Sequence, residues 1–90
     1  MSITVGMSDL LRRVAGWQEP VELPVCTPLE CLKKITLQFP ILNKWLYDEQ
    51  DKIKSHVWLM VNDERIYKDE FAIPLHDGDH LLIMVAIMGG

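Results

Sequence analysis

Ile3, Val5 and Met7 alternate with Ser2, Thr4 and Gly6, the two-residue period of a strand that buries one face. A second extended run is predicted over residues 13–25, interrupted by Gly16, Pro20 and Pro24. Proline cannot donate to a ladder, so this strand belongs at a sheet edge. The period then changes. Thr27-Pro28-Leu29-Glu30 combines an N-cap threonine, proline at the first helical position and a glutamate three residues after the cap, which together predict a capping box. Leu29, Leu32, Ile35, Thr36 and Phe39 keep a helical spacing, with Lys33, Lys34 and Gln38 on the other side. Pro40 ends the helix, because it pushes its predecessor out of helical geometry. Ile41, Leu42, Trp45 and Leu46 predict a short second helical stretch before the polar residues 47–55.

A third strand is predicted over residues 57–61, an Asn62-Asp63 turn leads to a short fourth strand near Ile66, and Asp77-Gly78-Asp79 turns the chain into a final strand at His80. The order is β-β-α-(short α)-β-β-β, a small sheet with one main helix on one face, which is an α+β architecture. Alternation should then leave the uncovered face polar. If Val57, Leu59, Val61, Leu81 and Ile83 face the helix, however, Trp58, Met60, Leu82 and Met84 face away. An apolar patch of this kind marks a partner surface, with Trp and Met favoured at interface cores. The competing explanation is that residues 68–74 fold over it.

Composition narrows the function. Ninety residues form one domain that buries about 60 to 65% of its unfolded surface, too thin a body for a deep cofactor pocket. The net charge of −4 argues against a phosphate backbone or an anionic membrane surface as partner, since Arg12-Arg13 and Lys33-Lys34 are isolated pairs. No signal peptide is expected, because Gly6 and Asp9 interrupt any early apolar run; the apolar residues 81–88 are too few to span a bilayer. With two cysteines, nothing demands an oxidising compartment, and a cytoplasmic location is expected.

Candidate chemistry is sparse. Counted from the Thr27 cap, Cys26 and Cys31 take the N′ and N4 positions, which pack as a hydrophobic staple, so they read as structural thiols and not as nucleophiles or ligands. His76, Asp77, Asp79 and His80 are of ligand type, but a tight turn entering a strand points them apart, and no metal site is expected. His56 has no identifiable Ser or Cys partner. There is no phosphate loop and no acid/base carboxylate pair, so the chain is expected to catalyse nothing itself.

"FPIL" at residues 39–42, "VND" at 61–63, "PLHDGD" at 74–79 and the closing "GG", in this strand order, resemble the MoaD/ThiS family of ubiquitin-like sulfur carrier proteins. The resemblance implies a β-grasp (ubiquitin-like) fold: a mixed five-stranded sheet, its first and last strands parallel at the centre and its second at an edge. It implies a β-grasp domain over residues 1–84 and a flexible tail over residues 85–90. It also implies that the Gly90 carboxylate is adenylated by an E1-like adenylyltransferase, which uses ATP, and is converted to a thiocarboxylate; the carrier itself binds no cofactor. A sulfur donor protein and a sulfur-accepting biosynthetic enzyme are the further partners implied, with no nucleic acid and no membrane. Family members commonly carry prolines a few residues before the glycines; here Met84 and Val85 stand instead, so strand pairing can persist longer. The long stretch of residues 46–61 resembles the carriers of cysteine or methionine synthesis more than the small subunit of molybdopterin synthase.

The tail suits that chemistry. A carboxylate is a poor acyl donor until adenylation supplies a leaving group that a sulfur nucleophile can displace. Gly89 and Gly90 lack a Cβ and can thread a narrow channel, while Ala86, Ile87 and Met88 are apolar residues that a merely solvated end has no use for. The six residues 85–90, extended, reach roughly 20 Å. Two other functions stay open on sequence alone: a ubiquitin-like modifier, whose activated glycine is attacked by a lysine amine, and a plain interaction domain of β-grasp shape.

Overall fold

The computed structural model describes residues 1–16 and 20–85. Five strands, β1 (Ser2–Met7), β2 (Val21–Pro24), β3 (Val57–Val61), β4 (Glu64–Ile66) and β5 (His80–Val85), form one sheet in the order β2-β1-β5-β3-β4. β1 and β5 run parallel and every other pair is antiparallel. This is the mixed sheet expected from the sequence, with β2 at an edge and Pro24 opposite Ser2. Three helices accompany it, α1 (Asp9–Ala15), α2 (Pro28–Gln38) and α3 (Asn43–Leu46), the last two joined by a 3-10 turn over Pro40–Leu42. No helix among the described residues is long and apolar enough to cross a membrane.

The capping box of α2 is complete: the Glu30 N–H donates to Thr27 Oγ1 at 3.1 Å and the Thr27 N–H donates to Glu30 Oε1 at 3.0 Å. The buried stripe of α2 is Pro28, Cys31, Leu32, Ile35 and Thr36. Leu29, expected on that stripe, is 39% exposed, because the period runs through its neighbour Pro28 and returns at Cys31 and Leu32. Together with Leu42 and Leu46, the stripe covers the sheet face carrying Ile3, Val5, Met7, Val57, Leu59, Leu81 and Ile83.

α1 corrects the extended run predicted over residues 13–25. Arg13 and Val14 belong to a helix, only Val21–Pro24 is strand, and Trp17, Gln18 and Glu19 lie outside the described residues. Gly16 does not interrupt a strand; it closes α1 in the left-handed conformation, φ 69°, with its N–H donating to the Arg12 carbonyl. Leu11, fully buried, anchors the helix to the core.

The remaining connections fix β5. Asn62 and Asp63 both have positive φ, the two-residue hairpin turn between β3 and β4. Gly78 also adopts φ 84°, and its N–H donates to the Ser2 carbonyl. Asp79 ties this turn to the hairpin: its carboxylate accepts from the His76 N–H at 2.8 Å and from the Asn62 amide at 2.9 Å. Asn62 Oδ1 in turn accepts the His80 N–H. The start of β5 is thus locked to both β1 and the β3–β4 turn. At its other end Val85, assigned to the tail on sequence, still pairs with Val57. Ala86 to Gly90, the expected reactive tail, lie outside the described residues.

Candidate functional site

Antiparallel register brings Trp58 opposite Met84 and Met60 opposite Leu82, and parallel register sets Gly6 on the far side of Leu82. All four expected patch residues are half-buried and share the sheet face that the helices leave uncovered. A Cβ at Gly6 would stand 3.6 Å from Leu82 Cδ1, so the bare glycine leaves a shallow place beside that leucine. Residues 68–74 do not fold back over the patch. They are tied to the helix layer, with the Leu29 N–H donating to the Phe71 carbonyl, the Leu75 N–H to the Cys26 carbonyl, and Phe71 buried in the core.

Arg65, which the sequence patterns did not single out, joins this face. Register puts it opposite Met60, and its guanidinium carbon lies 3.9 Å from the centroid of the Trp58 ring and 4.7 Å from that of Tyr67. The signal was available: across a two-residue turn Val61 must pair with Glu64 and Met60 with Arg65, so Arg65 inherits the outward side of Met60. Stacking over both rings gives the cation a fixed place on the apolar patch.

The other candidates are structural. Cys26 and Cys31 are free and buried, with Sγ atoms 2.9 Å apart, the staple positions of α2. Burial, and then the contact with Cys26, pushes the Cys31 thiol far above its ordinary value, which makes it a poor nucleophile. Asp77 accepts the Ser2 N–H, and Asp79 is used in the lock described above. The His76 N–H and then the Asn62 amide hold the Asp79 carboxyl below the usual carboxylate range. These turn residues serve the geometry of β5.

β5 is thus pinned at its start and carries apolar groups on an open face, beside Trp58, as far as Val85. The chain has the β-grasp fold of the ubiquitin-like sulfur carrier proteins. It matches the small archaeal modifier protein 1 (SAMP1) of Methanosarcina acetivorans with a TM-score of 0.84 and 20% identity, covering 99% of this chain and 96% of that one. It matches the Amycolatopsis orientalis BexX/CysO complex structure with a TM-score of 0.78 and 28% identity, over 98% of this chain and 99% of that one. A putative molybdopterin converting factor, subunit 1, from Pyrococcus furiosus gives a TM-score of 0.69 and 20% identity, over 97% and 99%. No protein-family model and no curated protein sequence matches the chain. The resemblance drawn from the motifs is therefore carried by the fold.

Proposed function

We propose that this protein is a sulfur carrier: a protein cosubstrate that docks its open sheet face on an E1-like adenylyltransferase and delivers the Gly90 carboxylate to it. The observation that supports this most is the apolar row of Trp58, Met60, Leu82 and Met84 lying on and beside the strand that leads into the Gly-Gly end. In the reaction, a Gly90 carboxylate oxygen attacks the α-phosphorus of ATP and pyrophosphate leaves. A sulfur nucleophile from a donor protein then attacks the acyl carbon and AMP leaves. When that nucleophile is the outer sulfur of a donor persulfide, a second thiol attacks the donor's inner sulfur, forms a disulfide with the donor and releases the thiocarboxylate, which passes its sulfur to a biosynthetic enzyme. The carrier contributes no acid, base or nucleophile beyond that carboxylate; it supplies docking and reach. The expected location is cytoplasmic.

Cysteine or methionine synthesis is the favoured pathway, supported by the 28% identity to the CysO complex structure and by the long connection ahead of β3. The small subunit of molybdopterin synthase is the alternative within the same chemistry. Similarity to a small archaeal modifier protein supports a second reading, attachment to lysine.

Two measurements test the proposal. Deleting Gly90 should abolish ATP–pyrophosphate exchange with the activating enzyme while leaving the thermal melt unchanged, since a terminal residue adds little to the core. Full exchange by the deletion variant would show that the terminal carboxylate is not the reacting group. Intact mass from cells separates the two readings: a carrier exchanges one oxygen for sulfur, and a modifier is found in isopeptide adducts.

A further inference from the structure

At the end of the sheet where Val57 pairs with Val85, the patch opens into a hollow of about 510 Å³ between β3, β4 and the segment that follows β4. Of the apolar row Trp58 alone lines it; residues 53–55 ahead of β3 and the core-side Val57, Ile66 and Phe71 complete the wall, at the same end of the sheet as Val85. Lys54, Arg65 and Lys68 line it against a single carboxylate, Asp69, in a chain whose formal charge is −4. This concentration of positive charge runs against the charge of the whole molecule.

The three cations are not equivalent. Lys54 Nζ already donates to the Lys44 carbonyl at 2.6 Å. Arg65 forms no salt bridge with any described residue, yet it is held in place by Trp58 and Tyr67. Contact with aromatic rings does not use the N–H donors of a guanidinium, which can still meet a carboxylate through two parallel hydrogen bonds. Trp58 and Tyr67 therefore preorganise a donor fork at the border between the apolar row and the hollow.

We propose that this hollow receives an Asp or Glu side chain of the activating enzyme, and that Arg65 reads it. The inference rests on the sulfur-carrier reading and adds the partner chemistry at the tail end of the docking face: an apolar contact over Met60, Leu82 and Met84, and a carboxylate beside Trp58. The carboxylate fixes the direction in which the tail is presented, because the apolar row alone offers no polar group to set the register.

The test is ATP–pyrophosphate exchange with the activating enzyme of the same organism, measuring KM for the carrier and kcat separately at several salt concentrations. The wild type would be compared with Arg65→Ala, Arg65→Lys and Arg65→Glu, with melts confirming the fold of each. Arg65→Glu should raise KM by about tenfold or more with kcat nearly unchanged, because it sets two carboxylates against each other in the bound state. Arg65→Ala should raise KM less and flatten its dependence on salt, and Arg65→Lys should fall between Ala and wild type, keeping the charge without the fork. Wild-type KM in the Ala and Glu variants would overturn the inference and leave the carrier function standing. So would equal losses in Ala and Glu with the salt dependence intact, since Arg65 would then serve only to pack Trp58. Absence of exchange by the wild type would overturn the carrier reading and this inference with it.

Discussion

Leu81 and Leu82 are adjacent in β5 and chemically identical, yet Leu81 is buried in the core while Leu82 lies half-exposed on the open face. The same contrast divides Leu59 from Trp58 and Met60 in β3. Both strands are apolar on both sides, as strands in doubly covered sheets are, but this sheet has a helix layer on one side only. Hydrophobicity therefore serves two ends in one strand. Toward α2 it builds the core, and away from α2 it forms the open face proposed to dock a partner.

Truncation on the covered side should have the largest effect. Leu81→Ala should destabilise the fold by about 2 to 5 kcal/mol, through lost transfer energy and the cavity left behind. Chemical denaturation checks this; a loss as small as that of Leu82→Ala would erase the distinction between the faces. Trp58→Glu should show the opposite profile. Docking should weaken by about 2 kcal/mol or more if the ring is a hot spot, while the melt moves little, because the ring is half-exposed and loses mainly its contact with Arg65. Unchanged affinity with an intact fold would remove the open face from the docking argument.

The thiol pair extends the covered side to the start of α2. Replacing Cys26 and Cys31 together with Ala should cost about 1 to 2 kcal/mol of stability, the loss expected for two small buried groups. Sulfur loading should be unaffected, as judged by intact mass after incubation with the activating enzyme and donor. Loss of loading in a folded double variant would overturn the structural reading of the pair. The smallest effect concerns the lock at the start of β5. Because the folded state holds the Asp79 carboxyl below its ordinary value, the contribution is full above the unfolded pKa of about 4 and is lost as pH falls through the folded one. Asp79→Asn should therefore be less stable than wild type near neutrality, and the difference should shrink in acid. Urea unfolding at a series of pH values measures it, and a gap that widens on acidification would contradict the assigned direction.

Much of the fold was legible in the residues because the relevant forces are local. The Thr27 capping box, the stop at Pro40, the Asn62-Asp63 turn and the alternation in β1 and β3 each act within a few residues, and each stands where the pattern placed it. The division of β3 and β5 into two apolar faces was legible for the same reason, since period and turn length assign alternate residues to opposite sides. α1 was missed although Ser8-Asp9 and Gly16 bracket it as start and stop signals. Its seven residues include only one that is fully buried, too little for a helical period to outweigh the neighbouring prolines and the expectation of a second strand.

What the sequence determined by itself is the main helix with its cap and stop, the strands with their turns, and the apolar character of both faces of β3 and β5. Which apolar face became core was decided by the tertiary structure, because it depends on the side to which α2 crosses. Tertiary structure also decided that Cys31 and not Leu29 completes the buried stripe, that Asn62 and Asp79, seventeen residues apart, share a hydrogen bond, and that Arg65 rests on Trp58 and Tyr67. These are contacts between segments that meet only when the sheet closes. Their energies depend on geometry that no window of the sequence contains, whereas periods and caps are written within a single turn or strand.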